Sequence, residues 1–364
     1  MNPEPTVTVL VNTYNHERFI AQALSSVLGQ DFPSATMETI VVDDGSTDRT
    51  SEIARSYVPH VRYIHKTNGG QVSAFHTGVA EARGQIVAFL DGDDWWAKNK
   101  ISSVVAAFNS NPDIAAVGHG YYEVDEGGAI RAEMIPKSES RLSLETVDSA
   151  RLSAPLRIFL GTSRLAMRRN ALLRTLPVPS ELPFFDTYIF TQAIGISGAL
   201  LLRQHLCYYR LHSRNLYASQ SNDEARQWTR YRLLRGLLKH LPLRLASLGV
   251  PTERINALLD FDRLDADRLG LVLEGGKPWD TFRVELADFR LSYSEPDLSY
   301  RLFKYFTLVL TLLMPPKAFF RLRDWYAAHG LRSIRESIGG ARPTVPEVSR
   351  RPVEDNKNSV GRGW

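Results

Sequence analysis

Residues 87–96 read VAFLDGDDWW, three carboxylates crowded together directly behind an apolar run. Asp and Gly are turn formers, so composition alone makes this a polar turn. What precedes it changes the reading. Ile86 to Leu90 is β-branched and apolar enough for a strand buried on both faces, as in a parallel sheet. Carboxylates at the carboxyl end of such a strand stand where open α/β sheets bind ligands.

The flanking chain keeps the same rhythm. VTVLVNT (7–13) is a strand, HERFIAQALSSVLGQ (16–30) has apolar residues at helical spacing, and ETIVVDD (38–44) is a second strand. Asp48 can cap the helix DRTSEIARSYV, and Val61 to His65 follows as a strand. A helix from about Gln71 to Ala82 leads to the strand IVAFL, then a helix from about Lys98 to Asn109, then IAAVGHG (114–120). This alternation predicts an α/β, Rossmann-like domain with a mostly parallel central sheet and helices on both faces. Residues 121–155 read as a polar loop or small flap, and GALLLRQHLCYYRLHSRNL (198–216) as a late strand and a polar turn. The domain is expected to span 1–222 and a helical region 223–340, its clearest segment EARQWTRYRLLRGLLKHL (224–241). Residues 341–364, rich in Pro, Arg, Ser and Asn, read as a disordered tail.

The whole chain narrows the classes. Its 364 residues are 43% hydrophobic and 23% charged, as in ordinary globular proteins. The single Cys207 excludes an intramolecular disulfide and a Cys-rich metal site, and reads as a small core residue in a reducing cytoplasm. MNPEPTVTVLVNTYN shows no secretory pattern, and no window reaches the roughly 20 apolar residues of a membrane span. The expected location is therefore the cytoplasm, including the cytoplasmic face of the membrane. The net charge of +4 is uneven: residues 1–200 carry 17 Lys/Arg against 22 Asp/Glu, residues 201–364 carry 27 against 18. A basic second part suits an anionic surface. Without a zinc-finger or RNA-binding signature, and with basic residues interleaved with Leu and aromatics on helices, membrane or protein contact is favoured over nucleic acid.

Three strands end in polar clusters: Asn12-Thr13-Tyr14-Asn15, Asp43-Asp44-Gly45-Ser46 and Asp91-Gly92-Asp93-Asp94. Neighbouring parallel strands bring such ends into one crevice. So much negative charge would repel a phosphate unless a hard divalent cation, Mg²⁺ or Mn²⁺, bridged them. The pattern predicts a metal-bridged diphosphate. Asn68 and Gly69, with Gly70, precede a helix and are expected to offer backbone N–H groups to that anion.

VTVLVNTYNHERFIAQALSSVLGQ, IVVDDGSTDRT, NGGQVSAFHTG, FLDGDDWW and YRLHSRN, in this order, resemble the family 2 glycosyltransferases with the GT-A fold over roughly residues 5–220. The resemblance implies that Asp44, with Asp43, contacts the nucleotide base and that Thr13, Tyr14 and Asn15 help wall its pocket. Asp91-Gly92-Asp93 resembles the family's DXD motif, with Asp91 toward the ribose, Asp93 on the metal, and Asp94 near the sugar or supporting the others. His212 is similar to a family residue that reaches the metal or diphosphate, while Arg210 and Arg214 face either the diphosphate or solvent. The family's base is usually the Asp of a Glu-Asp pair. Here the pair is Phe185-Asp186, which leaves Asp186 as the candidate base, or as a helix N-cap. Trp95 and Trp96 either pack or line the sugar site.

The implied reaction is metal-dependent transfer of one sugar, with inversion, from a nucleotide-diphosphate sugar to a saccharide or lipid-linked acceptor in bacterial-type surface polysaccharide or glycolipid assembly. Three alternatives stand beside it: a nucleotidyltransferase, a processive synthase and a non-catalytic scaffold. The first should show a Gly-rich loop after strand one, where VNTYNHERF has none. Processive relatives carry Gln-x-x-Arg-Trp, which Gln227-Trp228-Thr229-Arg230-Tyr231 only approaches. The segment YFTLVLTLLM (305–314), too short to span and flanked by Lys304 and Lys317, is expected to lie in a membrane interface, to pack on the catalytic domain, or to form a homodimer.

Overall fold

The computed structural model describes residues 5–212, 215, 224–292, 298–329 and 349–352. Its elements run β1 (Val7–Thr13), α1 (Ile20–Leu28), β2 (Met37–Asp43), α2 (Thr50–Arg55), β3 (Arg62–His65), α3 (Gln71–Glu81), β4 (Ile86–Asp91), β5 (Trp95–Trp96) and α4 (Lys100–Ser110). They continue through β6 (Ala116–Val124), β7 (Ile130–Ile135), β8 (Ser140–Leu142), α5 (Val147–Leu156), β9 (Ala166–Arg168), α6 (Arg169–Arg174), α7 (Asp186–Ser197) and β10 (Ala199–Arg210). The helices α8 (Glu224–Ser247), α9 (Thr252–Leu273), α10 (Pro278–Ser292), α11 (Leu298–Leu313) and α12 (Pro316–His329) precede β11 (Ser349–Pro352).

One sheet organises the domain, in the order β11-β7-β6-β9-β4-β1-β2-β3, with β10 beside β6 and pairing also with β5 and β8. The β3-β2-β1-β4 segment and the β6–β10 pair are parallel, as the alternation predicts, and short antiparallel strands complete the sheet. Both faces of β1 and β2 are covered, so Val9, Leu10, Val11, Ile40, Val41 and Val42 have no exposed surface. Gly78 lets α3 lie close on β1, since a Cβ there would fall 2.1 Å from a Leu10 methyl. Asp48 accepts from the Thr50 N–H at 2.9 Å, the expected stop at the head of α2.

Register is what assembles the site. On β1, Asn12 sits opposite Asp91 of β4 and Thr13 opposite Asp43 of β2, so the three polar clusters meet at one edge.

Two expectations change. Residues 121–155, expected as a polar loop or small flap, hold the end of β6, β7, β8 and most of α5. In β7, Ala132 and Met134 point inward while Arg131 and Glu133 lie outside, a two-residue alternation too short to stand out among polar neighbours. Within the expected tail, Ser349–Pro352 pair antiparallel with β7; its other residues lie outside the described ones.

The helical region is joined to the sheet domain by a largely buried ion pair, Arg157 Nη2 to both oxygens of Asp262 at 2.8 and 2.7 Å. Removing one partner strands the other charge, so Asp262→Ala is expected to lower the free energy of unfolding by roughly 3 kcal/mol, read from denaturant titration. Within the helical region the near-motif at 227–231 ties α8 to α9: Arg230 pairs with Asp265 at 2.6 Å and the Tyr231 hydroxyl donates to Glu274 at 3.0 Å.

Candidate active site

The VAFLDGDDWW turn is stitched to the NTYN loop. The Gly92 N–H donates to the Asn12 carbonyl at 2.9 Å. A Cβ on Gly92 would stand 2.6 Å from Thr13 Oγ1 and 2.9 Å from His16 Nδ1, so glycine is what permits this approach. Asn15 adopts φ 55°, and its carboxamide oxygen accepts from the Thr47 N–H at 2.8 Å, tying the first cluster to the second. Tyr14 is 44% exposed at the mouth of the crevice.

Asp43 and Asp44 have different surroundings. Asp43 is fully buried. Burial would raise its pKa, but hydrogen bonds from Ser46, Tyr63 (2.6 Å) and Ser51 (3.1 Å) outweigh it and hold the carboxyl below its usual range. Asp44 accepts from Lys66 Nζ at 2.7 Å and from the Gly70 N–H at 2.7 Å, with Gly69 N–H at 3.1 Å. This corrects the expectation for Asn68-Gly69-Gly70: the Gly69 and Gly70 N–H groups donate to a carboxylate of the protein rather than facing a phosphate.

The acidic turn itself carries unequal carboxyls. Asp91 accepts from Gln71 Nε2 at 3.3 Å. Its enclosure, then the like charges of Asp93, Asp94 and Asp186, push it well above the ordinary carboxylate range. Asp94 is pushed up to about 7 by burial and by Asp93, although it accepts the Arg210 N–H at 2.8 Å. Asp93 goes the other way. Its burial is outweighed by His16 and His212, which favour the ionised form. His212 Nε2 lies 2.9 Å from Asp93 Oδ2, and His16 Nε2 lies 3.7 Å from the same oxygen.

Asp186 opens α7 with a half-buried carboxylate. One oxygen accepts from the Thr187 N–H at 2.6 Å, the other from the Thr162 N–H and Oγ1, both at 3.2 Å. It thus sits near the helix N-terminus while being held from the adjacent 162–164 turn, close enough to Asp91 to raise it.

Residues 8–174 match the model of glycosyl transferase family 2. They form a family 2 glycosyltransferase domain. An uncharacterized glycosyltransferase of Nostoc sp. is 29% identical over 227 residues, 61% of this chain and 69% of that relative. The uncharacterized glycosyltransferase EpsJ of Bacillus subtilis is 37% identical over 122 residues, about a third of each chain. Among solved structures, S. aureus TarS 1–349 in complex with UDP-GlcNAc superposes with a TM-score of 0.53 at 21% identity, over 78% of this chain and 81% of that one. At that identity the likeness concerns the fold, which is of the GT-A type.

The structure accounts for the departure from the Glu-Asp pair. Phe185 is fully buried and stacks on Phe75 with ring centroids 4.1 Å apart, beside Phe89. Its position faces the core, so Phe185→Glu would place a carboxylate among aromatic rings. That change is expected to lower the unfolding midpoint by several degrees without raising transfer, as thermal denaturation and a transfer assay would show.

Other residues also find their places. Arg210 is buried beneath the turn: Nε donates to the Asp93 carbonyl at 2.9 Å, Nη1 to the Glu126 carbonyl and Nη2 to Gln22, both at 2.6 Å. It holds the acidic turn rather than facing solvent. Trp96 packs, its Nε1 donating to the Ser163 carbonyl at 2.9 Å, and Trp95 stacks on Tyr208 at 4.9 Å. Cys207 is buried, and burial pushes its thiol up, as for a core residue. Arg214 lies outside the described residues. Sequence reasoning missed four contributors: His16, Lys66, Ser163, whose Oγ accepts the Asp91 N–H at 3.1 Å, and Arg164, whose charge favours the ionised forms of Asp91 and Asp94. Only His16 lies within a quoted motif and none carries a local signal of its own; each acts across many residues of chain.

The crevice is suited to a divalent cation. Asp93 and His212, in contact with each other, would be the oxygen and nitrogen ligands on offer, and the like charge around Asp91 is of the kind a cation relieves. Among the described residues no group of three or more His, Cys, Asp or Glu is placed to hold a metal ion by itself.

Proposed function

We infer that this glycosyltransferase is metal-dependent and inverting, and adds a single sugar from a nucleotide-diphosphate sugar to an acceptor hydroxyl, in surface polysaccharide or glycolipid assembly. The observation that carries this reading is the meeting of Asp93 with His212 across 119 residues of chain, in the crevice where Asp186 also bears on Asp91.

In this reading Asp43 and Asp44 shape the base pocket with Thr13, Tyr14 and Asn15, and Gly69 braces Asp44 through its N–H. Asp91 and Gly92 stand on the ribose side, and Asp94 braces the turn through Arg210. Asp93 and His212 would hold Mn²⁺ or Mg²⁺, which supplies Lewis-acid stabilisation of charge on the departing diphosphate. Asp186 takes the proton of the acceptor hydroxyl, whose oxygen attacks the anomeric carbon as the bond to the diphosphate breaks. The other carboxylates of the crevice are committed to His212, Arg210, Gln71, Lys66 or the Tyr63 and Ser51 hydroxyls. A second carboxylate for double displacement is therefore not to hand, which supports one displacement and inversion. Single transfer is supported by the near-motif at 227–231, whose Arg230 and Tyr231 are engaged with α9 and its C-terminal cap.

A thermal-shift screen of nucleotide sugars with and without Mn²⁺ tests the reading. One donor is expected to stabilise the protein in a metal-dependent way, by about 2.7 kcal/mol at a hundredfold excess over Kd. Product anomeric configuration by proton NMR then tests inversion, and a retained configuration would refute the single displacement.

A further inference from the structure

Among the described residues α11 turns one apolar face largely outward, Tyr305 alone of its rings meeting another, that of Phe289, edge-on at 6.2 Å. Leu302, Tyr305, Phe306, Val309, Leu312 and Leu313 recur at helical spacing and are 61, 54, 63, 54, 40 and 74% exposed. The opposite face is packed: Leu308 is buried, and Leu310 and Met314 lie against Leu271, Phe319 and Phe320. Among the described residues the segment packs on α9 and α12, and its apolar stripe faces outward. A contiguous stripe of this kind marks an interaction surface.

Charge decides which partner. From Leu298 to Arg323 the chain has five basic residues and no Asp or Glu. Lys304 and Arg323 turn inward to Glu285, each at 3.4 Å. Arg301, at one end of the stripe, and Lys317 and Arg321, just beyond the other, are exposed. A second copy docked antiparallel on this stripe would set those basic ends against each other. An anionic surface would neutralise both. No helix among the described residues is long and apolar enough to cross a membrane.

We propose that α11 and the first turns of α12 are an in-plane docking surface for an anionic lipid membrane. The stripe enters the acyl boundary and Arg301, Lys317 and Arg321 meet headgroup phosphates. This inference stands apart from the donor crevice and presents the domain at a lipid surface.

Vesicle flotation of the full chain tests it. The protein is expected to float with phosphatidylcholine vesicles containing about 30% phosphatidylglycerol, weakly with phosphatidylcholine alone, and less in high salt. Phe306→Glu/Val309→Glu should lower partitioning at least tenfold, and Lys317→Glu/Arg321→Glu should remove the preference for anionic vesicles. All four side chains are outside the cores, so circular dichroism and the unfolding midpoint should stay at wild-type values. Absence of wild-type binding to anionic vesicles, or unchanged partitioning of Phe306→Glu/Val309→Glu, would overturn the proposal. A wild-type dimer that ignores vesicles and becomes monomeric in Phe306→Glu/Val309→Glu would also overturn it, and would assign the face to a second copy.

Discussion

Asp186→Asn is expected to bind donor as tightly as the wild type and to lose transfer by roughly 10²- to 10⁴-fold in kcat, the usual contribution of a positioned base. The carboxylate is fixed by Thr162 on one side and the Thr187 N–H on the other, so an amide of the same shape keeps the Thr187 contact and the fold. What it loses is the capacity to take a proton. A purely structural cap would behave differently, because Asn is as good a capping residue as Asp and activity would persist. Steady-state kinetics at saturating donor, with donor affinity measured in parallel, separates the two. Full activity in this variant would remove Asp186 from the mechanism.

Asp93→Ala is expected to reduce donor affinity in Mn²⁺ by about 100-fold or more, to the level the wild type shows without metal, since metal-phosphoryl interactions are worth several kcal/mol. Asp93 combines His212 at 2.9 Å with a carboxyl held below its usual range, while those of Asp91 and Asp94 are pushed above theirs. It is thus the acid in the turn best prepared to face a cation. The variant should remain folded, because the main-chain carbonyl that anchors Arg210 is retained. A variant with wild-type, metal-dependent affinity would move the cation elsewhere in the crevice.

Much of this site is legible in the sequence for a simple reason. Apolar strands such as IVAFL have one solution, burial in a parallel sheet, and that solution aligns their polar ends. The opposition of Asn12 with Asp91 and of Thr13 with Asp43 follows from that alignment. Asp93 and His212 belong to motifs far apart in the chain, and the fold brings them into contact. What was not legible depends on single long-range contacts. Nothing local tells that Asp44 collects the Gly69 and Gly70 N–H groups, which reverses the anion-site expectation for that loop. Arg164 and Ser163 lie in a short turn with no motif of their own, and matter because it passes behind Asp91. The strands within 121–155 are too short and interrupted to stand out in the sequence. The α11 stripe was visible as apolar, but only its packing shows which way it faces.

The central claim is that the acidic turn at 91–94 works through a divalent cation on a nucleotide-sugar diphosphate. Titration calorimetry of the wild-type protein with its donor, once in Mn²⁺ and once in chelator, tests this most directly. Affinity is expected to collapse without the metal, and equal affinity in both conditions would contradict it.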